Sequence, residues 1–175
     1  MMKQTILLIA VASLNLLAMN GQEKTEKIVF EPIGIFHTPY TPETGAPRQG
    51  ILEPDVKGSI ELFPEYHGSL ASLDLYDHII VLYHFSEVRD WRPTARPPKS
   101  DGKTEFGLFA TRTPGRPNPI GLTVVKLEKV EDGILYISGP DAFDGTPVLD
   151  IKPYVRSIDC IESSRDRALE KRLGL

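Results

Sequence analysis

The chain has little of what most metal, redox and nucleotide chemistry requires. Its 175 residues include one cysteine, Cys160, which excludes an internal disulfide and any all-cysteine metal site. The four histidines, His37, His67, His78 and His84, are scattered without HxxxH spacing, and there is no CxxC, so a structural metal is not expected. No GxxxxGK(S/T) run offers a phosphate cradle and no GxGxxG opens a dinucleotide fold. No GxSxG elbow presents a serine, and Cys160 stands near the C-terminus without a matching base. A basic excess is also missing. Lys and Arg number 20 against 24 Asp and Glu, a net charge of −4, so the chain as a whole does not carry the usual footprint of a nucleic-acid binder. The apolar run over residues 6–17 is shorter than the ~20 residues that a spanning helix needs.

What is present is an ordinary globular composition, 41% hydrophobic and 25% charged, in a chain long enough for one domain with terminal extensions. Residues 1–21 read as a secretory signal: Lys3 in a short positive head, the uncharged apolar run, then small and polar residues, with cleavage expected after Asn20 or Gly21. No cysteine follows the run to take a lipid, and a start at Met19 is the competing reading. A charged spacer, 22–27, leads into β-branched and aromatic segments. Strands are expected over 28–36, 57–63, 120–130, 134–139 and 148–155. Residues 77–85 form a nearly continuous apolar run, the pattern of a strand buried on both faces. Glu131-Asp132-Gly133 between two such segments is a hairpin signal, and Pro153 puts the last strand near an edge. Pro64 opens a helical turn with Leu70 and Leu73 inward, and 163–173 has helical content capped by Ser163 or Ser164. The set, about seven short strands with little helix, is mainly β and closes most naturally as a small single-sheeted antiparallel β-barrel with short helices over 28–156. A partly helical extension, 157–175, follows.

Three loops hold polar residues that a core does not need: Pro47-Arg48-Gln49, the segment 84–116, and Asp144-Gly145-Thr146. Residues 112–119 contain three prolines, Pro114, Pro117 and Pro119, and two arginines, Arg112 and Arg116. Proline fixes φ and removes a donor, so these arginines project from a stiff frame. Between 89 and 116, seven basic residues (Arg89, Arg92, Arg96, Lys99, Lys103, Arg112 and Arg116) face three acidic ones, a local +4 on an acidic chain. The residues alone thus give a β domain with a basic, proline-stiffened rim fit for an anion, and name no substrate. The proline-arginine segment 91–98 also has the composition of an SH3-type ligand.

Several strings occur together and in order: PRQ at 47–49, WRPTARPP at 91–98, FATR at 109–112, RPNPIG at 116–121 and DGTPVLDIKPY at 144–154. Over residues 28–154 the chain resembles the TsaA/TrmO family. The resemblance implies a single-sheeted β-barrel acting as a homodimer. It also implies an enzyme that uses S-adenosyl-L-methionine (SAM) to methylate N6 of threonylcarbamoyladenosine beside the anticodon of tRNA. Carried over by position, the cofactor pocket is lined by Pro47, Arg48, Gln49, His84, Phe85, Arg112, Ile120, Gly121, Leu122, Asp144, Gly145 and Thr146. Asp144 and His84 are the candidates to accept the N6 proton, although methyl transfer from a sulfonium does not require a strong base. Arg89, Arg92, Arg96, Lys103 and Arg116 are the expected phosphate contacts. For single residues a structural reading stays open: Arg112 pairing with Asp144 or Asp150, and Gly145 serving a turn. Larger members carry a C-terminal domain, and about twenty residues follow Tyr154 here. The signal-like start leaves two locations: cytoplasmic for a tRNA enzyme, periplasmic or secreted if the signal is used. In the second case the expectation is an exported TsaA-like binding module for a small or anionic ligand, without tRNA methylation.

Overall fold

The computed structural model describes residues 27–96 and 104–161. The leader expected over 1–21, Lys99 and Lys103, and the helix expected over 163–173 lie outside them. Alternation of apolar and polar residues builds the sheet. Its longest strand, β6 (Ile120–Glu131), buries Gly121, Thr123, Val125 and Leu127 and turns Ile120, Leu122, Val124 and Lys126 outward, the two-residue period of a one-sided strand. With it stand β1 (Gly34–His37), β2 (Lys57–Leu62), β3 (His78–His84), β7 (Ile134–Ser138) and β8 (Pro147–Pro153). They close a barrel in the order β1-β2-β7-β6-β3-β8, with every pair antiparallel. The inward faces supply one core, in which Phe36, Ile60, Ile79, Val81, Leu135 and Val148 have no exposed surface. Closure leaves this sheet without a free edge along most of its length, so the backbone donors and acceptors find partners.

Local chemistry explains the connections. β6 and β7 join through Asp132 and Gly133, both at positive φ (50° and 82°), the left-handed pair that a tight hairpin needs. Pro64 starts a 3-10 turn, Pro64–Leu70, and Leu70 and Leu73 pack against the core as expected. A four-residue helix, α1 (Arg156–Asp159), follows β8.

Three expectations change. The first strand is shorter than 28–36: pairing begins at Gly34, where β2 and β8 flank the chain, while Ile28, Val29 and Phe30 are exposed. Residues 77–85 are not buried on both faces. β3 buries Ile79, Val81 and Tyr83 inside the barrel and leaves Ile80, Leu82 and His84 half-buried outside, because a closed sheet packs only its inner face. The segment 84–116, read as a loop, contains a small ribbon in which β4 (Thr94–Ala95) pairs with β5 (Phe106–Gly107). Pro153 does lie where β8 pairs with β3 alone, its register with β1 having ended at Val148.

Candidate functional site

Strand direction gathers the loops of interest at one end. β1, β3 and β7 run toward that end and β2, β6 and β8 leave it. Loops 38–56, 85–119 and 139–146 therefore open on the same mouth. Between them lies a cavity of about 1570 Å³. Its walls include Pro47, Arg48 and Gln49 from the first loop, Phe85, Arg112, Ile120, Gly121 and Leu122 from the second and its strand, and Asp144 and Thr146 from the third. Ten of the twelve residues assigned to a cofactor pocket by position thus share one cavity.

The floor is polar where the core would be expected to be apolar. Asp141, 9% exposed, accepts a hydrogen bond from the Tyr83 hydroxyl at 3.1 Å and one from the Gly50 backbone N–H at 3.2 Å, with the Thr123 hydroxyl as a further donor. Burial raises the pKa of Asp141, and the Thr123, Tyr83 and Gly50 donors work against that rise. Burial likewise pushes the Tyr83 phenol well above its ordinary value, with the Asp141 charge adding to it. The Tyr83 ring is held edge-on between Phe36, 5.6 Å away, and Phe85, 5.0 Å away. Asp141 thereby ties the strand under Phe85 to Gly50, the residue that follows Pro47-Arg48-Gln49.

The rim is built from paired side chains. Arg112 does not pair with Asp144 or Asp150; its Nη1 donates to Gln49 Oε1, and Gln49 Nε2 donates to the carbonyl of Arg48. The guanidinium thus bridges the second loop to the first. Arg116 is half-buried, donating to the carbonyl of Thr111 at 2.9 Å, and its Cζ lies 5.6 Å from the centre of the Phe109 ring. Asp144 Oδ1 accepts from the Thr38 N–H at 3.1 Å and lies 3.6 Å from His37 Nδ1. Arg96 pairs with Glu105 at 2.9 Å, and both, with Arg92, line the same cavity.

Two assigned positions do not line it. His84, the last residue of β3 and paired in register with Ile120, is absent from the cavity wall, whereas Asp144 is part of it. Gly145 answers to its backbone: φ is 76°, its N–H donates to Phe36 O at 2.9 Å, and open space surrounds the place of a Cβ. The turn reading fits it. Gly121 lines the cavity, and its missing side chain makes room for the Tyr83 ring, since a Cβ there would sit 2.3 Å from it. Of the expected phosphate contacts, Arg92, Arg96 and Arg116 reach the cavity wall and Arg89 does not.

The sequence reading missed Tyr83 and Asp141, and it missed Trp91 and Phe109, exposed aromatic residues of the same wall. A carboxylate set between Gly139-Pro140 and Ala142-Phe143 was the available signal for Asp141. Its partners are distant in sequence and nothing local announces them.

Comparison with known proteins decides the family. The model of the tRNA-methyltransferase O N-terminal domain matches residues 35–160, from β1 through α1. The chain belongs to the tRNA-methyltransferase O (TrmO) family. An S-adenosyl-L-methionine-binding protein of Archaeoglobus fulgidus is 42% identical over 135 residues, covering 77% of this chain and 94% of that protein. The tRNA (adenine(37)-N6)-methyltransferase of Escherichia coli is 39% identical over 134 residues, covering 72% of this chain and 57% of the enzyme. Among solved structures, TrmO from Pseudomonas aeruginosa superimposes with a TM-score of 0.66 at 36% identity, over 81% of this chain and 62% of that one. The chain thus spans nearly all of an archaeal relative and under two thirds of the Escherichia coli enzyme and of the Pseudomonas aeruginosa TrmO chain.

Proposed function

We propose that this protein is a SAM-dependent methyltransferase that acts on N6 of an adenosine beside the anticodon of tRNA, and that this nitrogen carries a threonylcarbamoyl group. The observation that carries the reading is the meeting of Pro47–Gln49, Phe85, Arg112, Ile120–Leu122, Asp144 and Thr146 in one cavity, in a TrmO-family chain whose relatives are named for SAM binding and tRNA adenine methylation. The donor set fits the cofactor. Arg112 offers a guanidinium for a carboxylate, Phe85 an aromatic face for a cation, and the Ile120–Leu122 edge an apolar wall. At about 1570 Å³ the space exceeds the ~300–1,000 Å³ of an ordinary small-ligand site, which leaves room for a nucleotide as well.

Bound SAM supplies an electrophilic methyl on a positively charged sulfur. The acceptor nitrogen would take that methyl, leaving a neutral thioether, and would give up its proton to the protein or to water. The protein's part is to fix both partners in line and to exclude water. Asp144, on the cavity wall, is our candidate to take the proton; His84 is not on that wall, and we assign it no such role. Arg92, Arg96 and Arg116 contact phosphates of the anticodon loop.

The working form is a homodimer. Cross-strand pairs Leu82–Leu122 and Ile80–Val124, with Ile120 beside them, make an apolar outer face on β3 and β6, where Ile120, Leu122 and Val124 are 40–47% exposed. A second copy would cover it.

Nucleoside analysis of tRNA from a strain lacking this gene tests the activity. The methylated threonylcarbamoyladenosine should disappear and return with the wild-type gene; an unchanged profile in a strain with no second such enzyme contradicts the proposal.

A further inference from the structure

Beside the cavity, two aromatic side chains stand in solvent on a braced frame. Phe109 is 81% exposed and Trp91 53% exposed, and both belong to the cavity wall. Their positions are fixed by the residues around them. The β4–β5 ribbon continues into a hydrogen bond from the Leu108 N–H to the Pro93 carbonyl at 2.9 Å, tying together the segments that carry the two rings. Leu108, 3% exposed, anchors the 3-10 turn Leu108–Ala110. Thr111 N–H and Oγ1 both donate to the Leu108 carbonyl and close that turn. Next to it, the place of a Cβ on Gly115 is 3.2 Å from the Asp90 carbonyl, which brings the Arg116 loop against the Trp91 segment. A large apolar ring held out in water by a buried neighbour has no role in the core.

The charge around the rings selects the partner. Arg92 follows Trp91 in the chain and lines the same wall, as does Arg96, paired there with Glu105; Arg116 lies over Phe109 with its guanidinium pinned to the Thr111 carbonyl. Aromatic faces interleaved with arginines are the pattern that takes up unpaired bases and their phosphates. A base presented for chemistry must leave its stack, so its neighbours lose a stacking partner. We infer that Trp91 and Phe109 form a stacking platform for the unpaired bases that flank the reacting adenosine. This rests on the tRNA reading above and adds to it the residues that read the nucleotides around the target.

The test uses the full chain, SAM, and an anticodon stem-loop RNA that carries threonylcarbamoyladenosine as its target, with 2-aminopurine beside it. Phe109→Ala and Trp91→Ala should each weaken RNA binding about tenfold, within the range of base–aromatic stacking. Phe109→Ala should lower SAM affinity, measured by calorimetry, far less than it lowers RNA affinity. Phe109→Tyr, which keeps the ring, should bind RNA like wild type, and Phe109→Leu, which keeps bulk but no ring, should not. Binding to wild type should change 2-aminopurine fluorescence, and Phe109→Ala and Trp91→Ala should each reduce that change. If both alanine variants bind and respond like wild type while wild type methylates the RNA, the platform is overturned and the enzyme assignment stands. If Phe109→Leu matches wild type, stacking is overturned. If wild type binds no RNA, the tRNA reading fails and the platform with it.

Discussion

Arg112 shows how a residue can be named from the sequence while its contacts stay open until the fold is known. Its place between Thr111 and Pro114 on a stiff loop marked it as a group aimed at an anion. Pairing with Asp144 or Asp150 was the open structural alternative, yet the guanidinium reaches across the mouth to Gln49. An amide satisfies one donor and leaves the positive charge uncompensated, which is what a site for a carboxylate needs. Arg112→Ala should therefore weaken SAM binding at least tenfold, ~1.4 kcal/mol. Calorimetry that finds the affinity unaltered removes Arg112 from the cofactor site. Asp141 was invisible for the opposite reason. It carries no motif, and its value lies in Tyr83, Thr123 and Gly50, which only the closed barrel brings together. Gly121 was legible as a glycine that matters, but the neighbour it makes room for is the Tyr83 ring.

Among the elements, strands with a period of two and a turn signal were readable. The β6–β7 hairpin follows directly from alternating apolar residues around Asp132-Gly133. β3 was harder, since a run such as 77–85 is equally apolar whether its second face is packed within the chain or left for another surface. The half-buried outer residues Ile80 and Leu82, opposite the exposed Val124 and Leu122, favour the second case. Val124 lies on this face and outside the cavity wall. Val124→Glu should convert a dimer into a monomer in sedimentation experiments at protein concentrations where wild type is dimeric. A monomeric wild type at tens of micromolar, or a dimer indifferent to the charge, contradicts a homodimer through this face. The β4–β5 ribbon could not be read at all: two residues per strand leave no period, and prolines on either side mask it.

For the whole molecule, the mainly β character and the barrel were legible because many short strands with little helix have few other ways to hide one apolar face each. Six strands in a closed sheet, and two in a separate ribbon among the described residues, make up that set. What no local pattern encoded is that strand direction sends the loops 38–56, 85–119 and 139–146 to one mouth, turning three separate strings into one cavity. The central claim is that this cavity joins SAM to the anticodon adenosine. It is tested most directly by incubating the purified full chain with methyl-labelled SAM and tRNA that carries threonylcarbamoyladenosine, with the same tRNA lacking that modification as the control, and analysing the nucleosides by mass spectrometry. The account predicts label on N6 of the modified adenosine and none on the control. Absence of label on both RNAs at saturating SAM would contradict it.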